Sequence, residues 1–272
     1  MLAGHGLRIY PAIAAASFRR YSTYVWATWA GVFTNSVFGV INSFVYLAIW
    51  RQRPDAGGYD ANDAVTYVWL GQALIMTIAL WGGGTTDDLA ERIRTGQVAS
   101  DLYRPVGLLR WYLAADLGRA AYHLLVRGVV PTVLGLLLFK ITLPASISAG
   151  LGFAMSVLLA VVVSFAVRFL VASTAFWVLD QNGVRMFSGV LAVFFSGLVL
   201  PLVIFPEPWR TAALALPWAC YMQIPIDIWL SKRSGMDLLS GLGQQALWAA
   251  TLLGCCALVV RRATRKVVVQ GG

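Results

Sequence analysis

The chain has 272 residues, 59% of them hydrophobic and only 12% charged, with a formal charge of +9 and a mean hydropathy of +0.72. Soluble domains carry about 25% charged residues, so half that supply cannot cover a globule of this size in water, which argues against a soluble single-domain enzyme. The surplus of base would point to nucleic acid in a soluble protein, but here the basic residues sit in short segments between apolar runs, where they set topology and meet anionic headgroups, so no nucleic acid is expected as a partner.

Residues 1–23 read as a cytoplasmic, interfacial helix. Arg8 and the apolar residues after it imitate a signal peptide, but the stretch is short, and Arg19-Arg20 and a full-length span follow at once. Spans are predicted at 24–50, 63–81, 121–139, 147–172, 186–205 and 241–260. A long polar stretch, 82–119, separates the second from the third, and a proline-rich segment, 206–240, lies between the fifth and sixth. The expectation is an all-α integral membrane protein with six transmembrane helices in one transmembrane domain over 1–272. Cys220, Cys255 and Cys256 are too few and badly spaced for a disulfide framework or a zinc site.

Charge sets the predicted sidedness. One set of segments holds thirteen basic residues: Arg8, Arg19, Arg20, Arg92, Arg94, Arg104, Arg110, Arg119, Arg185, Arg261, Arg262, Arg265 and Lys266; the opposite set holds six, Arg51, Arg53, Lys140, Arg210, Lys232 and Arg233. Both termini are therefore expected in the cytoplasm. Trp26 and Trp29 would mark the inner edge of the first span and Trp50 its outer edge.

The first span carries a polar stripe. Thr28, Asn35 and Asn42 recur every seven residues, with Gly31 and Gly39 near the same face. Small and polar residues on one face allow close backbone approach and interhelical hydrogen bonds, so the stripe faces either neighbouring helices of the chain, a symmetry mate, or a hydrated conduit. In the fifth span Ser188, Ala192 and Ser196, with Gly189 and Gly197 beside them, make a second small-residue face.

After the second span the sequence turns amphipathic. Thr85 with Asp88 has the spacing of a capping box, and Asp87, Asp88 and Glu91 suit a helix N-terminus. Leu89 and Ile93 pair at i,i+4, Arg92 and Arg94 fall near the other end, and Gly96 is placed to cap it. A helix of about ten residues follows, lying on the inner leaflet or presented to a protein partner. Arg127 and Arg168 fall near the cytoplasmic ends of their spans and are expected to snorkel. His123 reads as a packed interfacial histidine, and Asp116 and Asp180 are available to neutralise the arginines. In the external segment Pro201, Pro206, Pro208, Pro217 and Pro225, with Trp209, Trp218, Tyr221 and Trp229, predict broken helices dipping into the outer leaflet. Such a segment serves as an external gate or as an aromatic anchor. Gly82-Gly83-Gly84-Thr85-Thr86 lacks the lysine of a phosphate loop, and no metal motif, aspartate pair or nucleophile elbow is present. No catalytic residues and no metal are expected.

Several of these segments together resemble a known family. Arg92-Ile93-Arg94-Thr95-Gly96 followed by Asp101-Leu102-Tyr103-Arg104-Pro105 is similar to the first cytoplasmic loop of ABC-2-type transporter permeases, closest to the six-span branch associated with antibiotic, drug and viologen export. Phe195-Ser196-Gly197, Pro201-Leu202, Phe205-Pro206, Leu216-Pro217-Trp218 and Pro225 resemble that branch's fifth span and external segment, and Phe18-Arg19-Arg20-Tyr21 its approach to the first span. The resemblance implies that the loop helix around 87–95 is a coupling helix, with Asp87, Asp88, Leu89, Glu91, Arg92, Ile93, Arg94 and Arg104 as ATPase-coupling residues. It implies ABC ATPase subunits and a second permease subunit (homo- or heterodimer) as partners, with ATP and Mg on the ATPase and no cofactor on this chain.

It further implies that the first, second and fifth spans border the path, which would place Thr28, Gly31, Asn35, Gly39, Asn42, Ser188, Ser196 and Gly197 at a conduit or dimer seam and Pro201, Pro206, Pro217 and Trp218 at an external gate. The expected protein is a multi-pass transport subunit of the bacterial cytoplasmic membrane, without an ATPase site of its own, exporting a hydrophobic or amphiphilic compound such as a drug or antibiotic. The alternative is a secondary transporter or channel not driven by ATP, against which stand the lack of a visible three-plus-three repeat and of a mid-span acid.

Overall fold

A computed structural model of the chain describes residues 3–104, 106–178 and 181–270, without the side chains of 3–8 and 264–270. Pro105 and Asp180, and the side chains of Arg8, Arg265 and Lys266, lie outside the described residues. Every regular element described is helical: α1 (Ala3–Ser22), α2 (Val25–Gln52), α3 (Ala61–Leu74), α4 (Thr85–Arg94), α5 (Val98–Leu102), α6 (Leu108–His123), α7 (Val129–Leu138), α8 (Ile147–Ser173), α9 (Asn182–Phe195), α10 (Trp209–Ala215), α11 (Gln223–Trp229) and α12 (Met236–Gln270). Among the described residues four helices are long and apolar enough to cross a membrane: Val25–Gln52, Leu108–Leu138, Ile147–Phe176 and Met236–Ala263. With that hydropathy the chain is a multi-pass membrane protein.

The third predicted span is longer than its apolar part. Its helix begins at Leu108, so 108–119 is helix rather than loop. Asp116 and Arg119 made that stretch look water-facing, but they pair with each other inside the protein at 2.7 Å. Between α6 and α7 the helix widens into a π-turn, Leu124–Gly128. Pro131 explains the widening, because it has no N–H for the carbonyl of Arg127 four residues back and its ring crowds that carbonyl. The Thr132 hydroxyl donates instead to the carbonyl of Gly128 at 2.8 Å.

The second and fifth predicted spans are broken. α3 and α9 hold 14 residues each, about 21 Å at 1.5 Å per residue, short of a hydrocarbon core of about 30 Å. Beyond α3 the backbone leaves the helix through 75–81, with Ala79 at φ +50°. Carbonyls of this stretch accept from other helices: Arg119 donates Nη1 to Met76 at 2.6 Å and Nη2 to Thr77 at 2.9 Å, and the Ser164 hydroxyl donates to Ile78, while Met76 also accepts from the Ala79 amide at 3.2 Å. Irregular backbone at membrane depth is stable only when protein satisfies it in this way. α9 ends at Phe195 with Ser196 as its C-cap, and the next residue, Gly197, has a φ of +88° and would place a Cβ only 2.2 Å from the Tyr67 hydroxyl oxygen, so no other residue fits there without movement.

The proline-rich segment folds inward. α11 is buried along its length, with Ile224, Ile226 and Ile228 fully inaccessible. Gln223 ties it to its surroundings: its Oε1 accepts from the Leu202 amide at 2.7 Å and the Tyr67 hydroxyl at 3.1 Å, and its Nε2 donates to the Tyr59 hydroxyl at 2.8 Å and Asp227 at 2.9 Å.

Candidate functional site

Two regions bring together the residues singled out by sequence. The first is the junction beneath the bundle. α4 is strongly amphipathic and shows one face to the protein: Leu89 is fully buried and Ile93 nearly so, in a cluster with Val98, Leu108, Tyr112, Phe165, Phe169 and Cys256. Leu89 and Ile93 therefore anchor α4 to the spans and are not available to touch a partner. The exposed face carries Asp87, Asp88, Glu91 and Arg94, of which Asp88 pairs with Arg20 at 2.6 Å and Asp87 with Arg185 at 3.5 Å. With Ala90, Ala175, Gln181, Asn182 and Arg185 these line a cleft of about 700 Å³ between α4 and the start of α9.

The expected capping box does not form. Gly84 is the N-cap and makes no side-chain bond. The Thr85 hydroxyl donates instead to Asp116 at 3.1 Å, and Asp88 pairs with Arg20 at 2.6 Å. With Gly84 as N-cap, Thr85 already lies inside the first turn, and its hydroxyl proton goes to the buried Asp116 carboxylate. The Asp88 bond holds the Arg20 guanidinium above its ordinary range and fastens α1 to α4. At the other end Arg92 forks onto Asp101 at 2.5 and 2.8 Å, which raises the Arg92 guanidinium, and Arg104 joins the same carboxylate at 3.0 Å. Asp101 is thus the hub between α4 and α5. The sequence placed Asp101 in the segment that resembles the family loop, but not as the partner of Arg92 nine residues earlier.

Behind α4 lies a buried ion cluster. Asp116, with no exposed side-chain surface, accepts from Arg119 at 2.7 Å and from Arg168 at 2.7 Å. Arg168 does not snorkel. It turns inward to Asp116, and its side chain is 10% exposed. Arg119, counted above as a loop charge, is likewise interior, and its remaining donors hold the unwound end of the second span. One carboxylate therefore connects the first residue of α4, α6, α8 and, through Arg119, the carbonyls after α3.

The second region is a cavity of about 540 Å³ between α2, α3, the π-turn and residues 198–199. Most of the polar stripe of α2 is spent on contacts within the chain. Thr28 shares a hydrogen bond with the Tyr122 hydroxyl at 2.9 Å, the Asn35 amide donates to the Gln72 carbonyl at 3.1 Å, and Gly39 lies against Trp69. Gly31, Asn35 and Asn42 also face the cavity, along with Thr34, Gln72 and Arg127. The opposite face of α2 is apolar and exposed, with Trp26, Phe33 and Phe44 each more than half accessible. His123 packs edge-on between Tyr21 and Tyr122, ring centres 5.3 and 5.4 Å away.

On α9 the small residues also look inward. Ser188, Gly189 and Ala192 line a narrow cleft against α8, and Ser196 is buried, while Met186, Phe187 and Val190 project outward. Of the outer residues, Pro201 and Pro217 are buried and Trp218 half-buried, whereas Pro206 is exposed beside an apolar hollow with Phe194, Phe205 and Trp209.

No curated protein matches the chain. A family described as ABC-2 family transporter protein matches residues 37–271, nearly the whole length.

Proposed function

The chain belongs to the ABC-2 transporter family, whose members are transport membrane components that work with ABC ATPases, and on that footing we propose that it is the permease subunit of an ATP-driven exporter. In this proposal α3 with 75–81, and α9 with the turn after it, complete six crossings, and both termini are cytoplasmic. Two permease subunits, identical or not, form the path in a bacterial cytoplasmic membrane, and ATP and Mg act on the separate ATPase. The cargo is a hydrophobic or amphiphilic compound.

The observation that carries this is the build of α4. One face is rooted in the bundle by Leu89 and Ile93, its first residue touches the Asp116 cluster, and its charged face borders an open cleft. A helix so placed is suited to receive a partner on one side and to pass displacement to three spans on the other. Thr28, Asn35, Gly39, Ser188 and Ser196 support close packing within one subunit. Gly31 and Asn42 border the cavity, and the exposed apolar face of α2 suits a second subunit.

The test is affinity purification from cells that express the neighbouring genes. Wild-type protein is expected to retain an ABC ATPase, and charge exchange on the free face of α4 to release it while leaving the bundle folded. Cargo movement in liposomes containing this chain without any ATPase would overturn the proposal.

A further inference from the structure

The cavity beside α2 holds a charge that the coupling proposal leaves unused. Its volume of about 540 Å³ lies within the roughly 300–1,000 Å³ of small-molecule sites. On α2 its lining runs from Gly31 to Tyr46, about 22 Å along the helix at 1.5 Å per residue. The walls are mainly apolar, with Phe38, Val68, Ile75 and Leu198, and are broken by the amides of Asn35, Asn42 and Gln72. Arg127 closes one end.

Arg127 differs from the other arginines inside the bundle. Arg119 and Arg168 share Asp116, whereas among the described residues Arg127 has no carboxylate within ion-pair distance, and its Nε is buried without a hydrogen-bond partner. Its position is also enforced. The π-turn before Pro131 aims it at α2, and a Cβ built on Gly31 would lie 1.5 Å from its Nη2. Glycine at 31 thus provides the slot in which the guanidinium lies. A partly buried guanidinium without a counter-ion is costly, and that cost is offset when a bound molecule brings an anion.

We propose that this cavity binds an acidic amphiphile, its carboxylate- or phosphate-type head on Arg127 and its apolar body extended toward Tyr46 and Leu198. The same chemistry is offered by an anionic lipid headgroup and by an acidic exported compound. The inference rests on the permease proposal for its link to transport; the binding itself does not depend on it.

The experiment uses the full-length protein in nanodiscs of zwitterionic phosphatidylcholine, with spin-labelled palmitic acid as probe and its methyl ester as control. Wild-type protein is expected to bind the acid saturably and the ester roughly tenfold or more weakly, the range of one charge-assisted hydrogen bond. Arg127→Gln is expected to abolish the difference between acid and ester, Arg127→Lys to keep part of it, and Gly31→Ala to weaken acid binding by displacing the guanidinium.

Adding phosphatidylglycerol separates the sources. Saturable competition in wild type but not in Arg127→Gln identifies a lipid. Lack of competition, with ATP-dependent efflux of the acid that requires Arg127, identifies a cargo. Equal binding of acid and ester by wild type overturns the inference without recourse to any variant. So does an undiminished preference in monodisperse Arg127→Gln. If the acid binds but no ATPase co-purifies, the permease proposal falls and this site stands; if the ATPase co-purifies and acid and ester bind alike, the reverse holds.

Discussion

Arg119 and Arg127 stand about two turns apart on one continuous helical rod, and their surroundings could hardly differ more. Arg119 spends its donors on Asp116 and on two main-chain carbonyls; Arg127 lies across Gly31 with a buried Nε and no acceptor. The first arrangement is complete within the chain and holds four segments in register. The second, as proposed, is completed by a bound anion. What separates the two arginines is the counter-ion: Arg119 has Asp116, and Arg127 has none among the described residues.

The contrast is broken most forcefully at its shared carboxylate. Asp116→Ala leaves Arg119 and Arg168 buried without an anion, and loss of about 3–5 kcal/mol is expected for removing one partner of a buried pair. Size-exclusion profiles and thermal melting of the detergent-solubilised protein should show a collapse in yield and melting temperature. Leu89→Ala comes next. It opens a void where α4 roots in the bundle, and a cost of about 2–5 kcal/mol is expected, read in the same melting assay together with loss of any bound ATPase.

Arg127→Leu sharpens the comparison in the other direction. Because it removes an unsatisfied group, stability should be unchanged or raised by up to about 1 kcal/mol, and a melting temperature that drops as far as in Asp116→Ala would show that Arg127 is structural after all. The smallest effect on stability is expected for exchanging Glu91 and Arg94, an exposed pair at 2.8 Å. Such pairs contribute about 0–1 kcal/mol, so melting should hold while ATPase retention falls; a retained ATPase would move the docking surface away from α4.

Much of the fold was legible because hydropathy and helical periodicity are local signals. Each of the four long helices overlaps a predicted span, although the one at Leu108–Leu138 begins well before the expected start at 121, and α4 begins and ends where its apolar pair and flanking charges placed it. The failures involve pairings across the sequence. Asp116 and Arg119 at i,i+3 look like an ordinary surface pair, and only the approach of Arg168 from 52 residues away makes them a core. The capping box is absent because Gly84, at φ +80°, takes the N-cap position and leaves Thr85 inside the first turn. Leu89 and Ile93 were correctly recognised as an apolar face, but periodicity cannot say whether that face meets the bundle or a partner. The interruption after α3 was hidden because 75–81 is as hydrophobic as any helix. At the cavity, the signals were present but separate: Gly31 on one span, Arg127 on another, and a proline four residues beyond it.

The stretch at 75–81 carries a further lesson. Three of its peptide carbonyls accept from the guanidinium of one helix or the hydroxyl of another, while those of Ile75, Met76 and Ala79 accept from nearby amides of the chain. Its shape is therefore on loan: it depends on the mutual arrangement of α6 and α8, and a shift of either helix would withdraw the donors on which this end of the second span relies.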